Sequence, residues 1–151
     1  MAPDEARARF AAARVARLAT ANADGVPHLV PVVFAVDVSA GADVVYSAVD
    51  AKPKRTTALR RLANVRANPH VALLVDHYDD ADWGALWWVR ADGEASVLEP
   101  DDAEARRAVG LLAARYPQYR TTPPTGPVLA VRVTRWSGWS GRPHAVSAAD
   151  R

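Results

Sequence analysis

The run Leu29-Val30-Pro31-Val32-Val33-Phe34-Ala35-Val36 is apolar at every position, so it offers no face to water. Successive side chains of a strand point to opposite sides, and a strand apolar on both must be covered twice. One cover is the interior of a barrel; the other is something packed outside it. Upstream, the run joins "VARLATA" through Ala23-Asp24-Gly25. Asp-Gly between apolar runs is a strong hairpin signal, which makes these two antiparallel strands, the second from Val26 to Asp37. Pro27 and Pro31 lack the N–H that a ladder uses, so this second strand is expected at a sheet edge, or bulged near Pro31.

The remaining elements are short and closely spaced. Asp4 to about Arg14 reads as a helix capped by Asp4, with Ala6, Phe10 and Ala13 as its apolar stripe. After a turn at Ser39-Ala40-Gly41, "DVVYSAV" is a third strand. Asp50 to Lys54 is a loop, and a helix runs from about Thr56 to Ala67. Leu59, Leu62, Ala63 and Val65 form its buried stripe, Arg60, Arg61 and Arg66 flank it, and Asn68-Pro69 ends it. "HVALLVD" is a fourth strand, buried throughout. "ALWWVRADGEASVLE" is a fifth, with a bulge expected near Asp92-Gly93. Pro100 opens a helix through "DDAEARRAVGLLAARY", "PQYRTTPPTGP" is a loop, and "VLAVRVTRW" is a sixth strand. The order predicts a mainly β fold, a six-stranded antiparallel barrel with peripheral helices, in one domain over residues 1–145 with 146–151 as a C-terminal tail.

Several chemistries are excluded by residue type. The chain has no cysteine, which removes thiol catalysis, disulfides and thiolate-bound metals. His28, His70, His77 and His144 have no metal-ligand spacing, and "DHYDDAD" lacks the glycine turn and terminal glutamate of a calcium loop, so no metal is expected. No run reaches membrane-spanning length and the N-terminal segment lacks a signal-peptide core, so a soluble cytoplasmic protein is expected. There is no nucleophile elbow, Walker motif or GxGxxG. An enzyme without an evident nucleophile or metal takes its chemistry from a bound cofactor. No catalytic residue is assigned.

Charge singles out one segment. Ala51 to Val75 holds six basic side chains and no acid; set against a whole-chain charge of +2, this leaves the rest at −4. Lys52 and Lys54 are the only lysines in the chain. A strand end, a basic loop and a helix opening with Thr56-Thr57 bring free N–H groups, hydroxyls and cations to one place. Such a run is either a solvated helix face or a seat for one compact anion; the negative remainder disfavours a nucleic-acid partner. Trp83, Trp87 and Trp88 cluster near one strand, and Trp136 and Trp139 lie in "RWSGWSGRPH" beside Arg142 and His144. Indoles fill cores and subunit contacts, and they also make flat walls for a ring.

Taken together, "RVARLATANADGVPHLVPVVF", "VVYSAVDAKPKRTTALRRLANVRANPHVALLVD" and "RWSGWSG" resemble the pyridoxamine-phosphate-oxidase-like split β-barrel proteins, most of all the branch that uses the deazaflavin coenzyme F420 in place of FMN. The resemblance spans about residues 5 to 142. It implies a homodimer with two cofactor sites at the interface, built by both subunits, a small-molecule substrate, and hydride transfer between ring and substrate, with Tyr46, Tyr78 and His28 as candidates for a proton donor. It places Pro31, Val32 and Val33 along the ring, and Tyr46 and Ser47 at its polar edge or ribityl chain. Arg60 and Arg61 correspond to the basic pair that binds the cofactor phosphate, with Lys52, Lys54 and Arg55 on the phosphate or the acidic tail of F420. Asn64 faces the site and Trp136 packs near the ring; Arg142 and His144 match only loosely the pair that holds substrate phosphate in the oxidase. An FMN-dependent oxidoreductase or oxidase, and a non-catalytic flavin-, F420- or haem-binding protein, are the alternatives on the same fold.

Overall fold

The computed structural model describes residues 1–39, 41–49 and 56–142, with backbone alone at 56–58; Lys52, Lys54, Arg55, His144 and the 146–151 tail lie outside the described residues. In chain order the elements are α1 (Pro3–Ala12), β1 (Ala16–Ala21), β2 (Pro27–Val32), β3 (Ala35–Asp37), β4 (Val44–Ala48), α2 (Thr56–Ala67), β5 (His70–His77), β6 (Trp87–Leu98), α3 (Ala103–Arg115), α4 (Pro117–Thr121) and β7 (Val128–Ser140). A 3-10 turn, Trp83–Ala85, precedes β6. Every strand pairing among the described residues is antiparallel, and the sheet order there is β2-β1-β5-β6-β7-β4-β3.

The expected single strand from Val26 to Asp37 is therefore two strands, and the sheet has seven rather than six. Its halves, β2 and β3, lie at opposite edges of the sheet, joined only through Val33 and Phe34. A flat seven-stranded sheet would hold its edges roughly 29 Å apart, whereas the step from Val32 to Ala35 spans at most about 11 Å. The sheet must roll, and it rolls into a barrel with an unpaired seam between β2 and β3. Pro27 and Pro31 sit on the edge strand β2, four residues apart, so one orientation turns both missing N–H groups out of the ladder.

At the seam the chain belongs to neither edge, and its backbone polar groups need other partners. The Tyr116 hydroxyl supplies them. It accepts from Phe34 N at 3.2 Å and lies 2.9 Å from Phe34 O and 3.0 Å from Arg14 O, either of which takes its proton. Tyr116→Phe removes one oxygen and leaves a buried N–H unpaired. We expect it to lower unfolding free energy by about 1–2 kcal/mol, read from urea midpoints at unchanged slope.

The hairpin turn falls at Ala23-Asp24-Gly25 as the sequence predicts, with Gly25 at φ 79°. Asn22 organises it: its side-chain oxygen accepts from Asp24 N and Val26 N, each at 2.9 Å. The predicted bulge is also present, at the register shift by Asp92/Gly93, but the extra residue is Thr134 on β7, whose hydroxyl bonds Asp92 O at 3.1 Å. Gly93 is required there because a Cβ would overlap the Arg132 carbonyl oxygen. α3 opens at Ala103 rather than Pro100, and α4 forms within the stretch read as a loop. α1 is capped at Ala2, with Pro3 in its first turn, rather than at Asp4.

The core lies inside the rolled sheet. Ala6 and Phe10 of α1 and Leu62 and Val65 of α2 are buried with it. The α2 stripe differs from the expected one: Leu59 and Ala63 are exposed and Asn64 is buried. β5 alternates instead of being buried throughout, with Val71, Leu73 and Val75 inward and Leu74 exposed. The two outer halves of the sheet are treated differently. Ala105 and Ala108 of α3 cover Val44, Tyr46, Val128 and Ala130, whereas nothing among the described residues covers the outer face of β2, β1, β5 and β6 in the same way. No described helix is long and apolar enough to cross a membrane.

Candidate ligand site at the seam

Helix α2 carries the cationic residues to the barrel. Arg61 and Asn64 are one turn apart and so share a helix face. Asn64 is 5% exposed and donates through Nδ2 to Thr20 Oγ1 on β1 at 3.0 Å. Arg61 is half-buried, its Nε is shielded from water, and that atom has no partner among the described residues. Burial pushes the Arg61 guanidinium below its usual pKa, opposed by the charge of Tyr119 on α4. Arg60, about a hundred degrees round the helix, is exposed. The basic pair thus divides: one member turns inward and the other faces solvent.

Tyr119 packs with Val33 and Ala48 around Ala35, Leu112 and Tyr116. Ser47 is buried and donates to Val33 O at 3.0 Å. Val33, Ser47 and Tyr119 are therefore gathered at the crossing from β2 to β3, with Arg61 within electrostatic reach of Tyr119. Tyr119 was not singled out in the sequence, because α4 sits in a proline-rich stretch that reads as loop.

Other candidates are placed apart by strand alternation. Tyr46 points to the face opposite Ser47, beneath α3. Its hydroxyl donates to Glu104 Oε1 at 2.8 Å and accepts from Arg107 at 3.2 Å, while burial raises its pKa. Arg107 also pairs with Asp37 at 3.4 Å, which ties α3 to β3. Pro31 is exposed on the outer side and Val32 is buried on the inner one. Trp136 lies under α1, edge-on to Phe10 with ring centroids 5.1 Å apart, and its Nε1 donates to Asp43 at 2.8 Å. Arg142 is ion-paired with Asp82, which also accepts from Gly84 N at 3.0 Å. Tyr78 is exposed, its hydroxyl 3.0 Å from Asp80.

The uncovered outer half of the sheet holds a cleft of about 670 Å³, lined among others by Leu29, Leu74, Tyr78, Trp87, Trp88 and Trp139. Trp88 and Trp139 are directly opposed across β6 and β7. The arginines on this face have acid partners: Arg17 with Asp76 at 3.8 Å and Arg90 with Asp92 at 3.0 Å. Among the described residues no group of three or more His, Asp or Glu side chains is placed to hold a metal ion.

Comparison with known proteins adds a family and a fold. The family model described as Pyridoxamine 5'-phosphate oxidase matches residues 2–140. No curated protein matches. Among solved structures, a conserved hypothetical protein from Mycobacterium tuberculosis is 22% identical with a TM-score of 0.72, over 99% of this chain and 94% of its own. An FAD-binding protein from Mesorhizobium loti is 22% identical with a TM-score of 0.67, over 91% and 94%. HutZ, the heme storage protein from Vibrio cholerae, is 17% identical with a TM-score of 0.64, over 93% and 95%. At these identities the structural likeness is one of fold. FAD-binding proteins and a heme storage protein are thus both among its neighbours in fold.

Proposed function

Because this chain belongs to the pyridoxamine 5'-phosphate oxidase family, we propose that it is an F420-dependent oxidoreductase of the cytoplasm, acting on a small organic substrate as a homodimer. The observation that carries this reading is Arg61: a half-buried guanidinium, paired with no acid among the described residues, whose Nε has no partner there and which feels the charge of Tyr119. A cation held partly out of water without a counter-ion is costly, and an anionic ligand group removes the cost. Asn64, fixed by Thr20, keeps α2 in register with the barrel wall so that Arg61 stays directed at the seam. The sequence adds Lys52, Lys54 and Arg55 just ahead of α2. Several cations favour a ligand with several anionic groups, as in the phosphate and oligoglutamate tail of F420, over the single phosphate of FMN. Hydride transfer is the chemistry such a ring supplies when bound; the protein's part is to bind, orient and exclude water.

The second subunit is supported by the uncovered half of the sheet. Leu29 is 66% exposed, Trp139 49%, Leu74 38% and Trp88 36%, on a face whose charges are already paired. A continuous apolar surface of this kind marks an association site. Pro31 and Leu29 share that outer face, so a partner lying there also reaches the strand assigned to the ring.

The test is a side-by-side titration of the purified protein with F420, FMN and haem, together with sedimentation. We expect a dimer that binds F420 more tightly than FMN and turns over reduced F420 with an organic acceptor. Tighter FMN binding would transfer the reading to the flavin, haem binding without turnover would make the protein a carrier, and binding of none would end it.

A further inference from the structure

Among the described residues, four buried side-chain atoms have no hydrogen-bond partner: His28 Nδ1, Arg61 Nε, Arg115 Nε and Ser137 Oγ. Native proteins leave few such groups, and each needs a reason. Arg115 is otherwise occupied, its two terminal nitrogens donating to the carbonyls of Ala11 and Ala13. His28 and Arg61 have something in common that the other two lack. Asn64, one turn beyond Arg61, donates to Thr20, and Thr20 stands directly opposite His28 in the β1–β2 ladder. Opposed side chains on one face of such a ladder lie about 4.5–5.5 Å apart. Thr20 is buried, and Val30 and Val32, on the same side of β2 as His28, pack into the core. The two unfilled nitrogens therefore belong to residues on either side of a single Asn64–Thr20 bond, one on α2 and one on β2.

We propose that His28 is a ligand contact: its Nδ1 hydrogen-bonds an oxygen on the polar chain of the anionic ring cofactor whose phosphate Arg61 takes. This rests on the reading of the preceding subsection. Arg61 and Asn64 are separated by a helical turn of about 5 Å, and His28 lies a further ladder spacing away. That interval is too long for a lone phosphate ion and suits an elongated chain carrying hydroxyl or oxyanion groups. Bound there, such a chain would fill both open valences at once, with Asn64 and Thr20 as the wall between them.

The experiment uses the full chain with nitrogen-15 in its histidines, and the variant His28→Phe, which keeps a flat ring and removes both nitrogens. F420 or FMN should move the His28 Nδ1 resonance, and inorganic phosphate should leave it in place. His28→Phe should weaken the better ring ligand about tenfold, while the ligand-free protein melts at the same or a higher temperature because an unpaired buried nitrogen has gone. Unchanged affinity with an unmoved Nδ1 resonance would overturn the contact and leave the cofactor reading intact. A variant that loses stability without ligand, beside an unmoved resonance in the parent, would make His28 a structural residue and overturn it too. A parent protein that binds neither ring would take both proposals down together.

Discussion

Replacing Phe10 by alanine is expected to lower unfolding free energy by about 3–5 kcal/mol. Phe10 is fully buried, 4.7 Å from Phe34 and 5.1 Å from Trp136 between ring centroids. Its removal takes away the transfer energy of a phenyl ring and leaves a cavity between two other aromatics. The helix that carries it has ten residues, too short to persist alone in water, and only Ala6 shares its burial. Losing Phe10 therefore also weakens the seat of α1. Urea unfolding followed by tryptophan fluorescence should show the midpoint falling, with Trp136 more exposed in the folded baseline. A loss below about 1 kcal/mol would mean that α1 does not close the barrel.

The second large effect concerns binding. Arg61→Ala should weaken the preferred ring cofactor by roughly 10- to 150-fold, the range for hydrogen bonds to a charged group. Arg60→Ala, one residue away but facing solvent, should change affinity by less than about threefold, since an exposed charge is screened. The ligand-free Arg61→Ala protein should be no less stable than the parent, because the guanidinium it loses is partly buried and its Nε has no partner among the described residues. Isothermal titration at fixed ionic strength separates these outcomes. Equal losses at the two arginines would point to a diffuse cationic surface, and no loss at Arg61 would remove the anion seat from α2.

Both predictions depend on features that differ in how far the sequence discloses them. The end of α2, the turn before Gly25 and the irregularity at Asp92-Gly93 are local: a helix-ending Asn-Pro and two Asp-Gly pairs state them within a few residues. The basic composition ahead of and along α2 is likewise plain in the sequence, and so is the family resemblance it carries. What could not be read was direction. Arg60 and Arg61 are equivalent in composition, yet only one faces the barrel, because Leu62 and Val65 fix the rotation of the helix. Asn64 was assigned to the site, but its burial against Thr20 was not visible, since a polar residue in a helical stripe reads as exposed. Tyr46 and Ser47 were grouped together, and strand alternation puts them on opposite faces.

By itself, the sequence determined that the chain would be mostly antiparallel β structure, where its turns fall, and that a run of cations lies ahead of and along one helix. Those properties come from interactions between residues close in the chain, and periodicity records them. The tertiary structure alone decided that the apolar run from Leu29 to Val36 breaks at Val33-Phe34 and sends its halves to opposite edges of one rolled sheet. The break depends on Tyr116, more than eighty residues away, satisfying a backbone that neither edge can pair, and no local pattern encodes a partner at that distance.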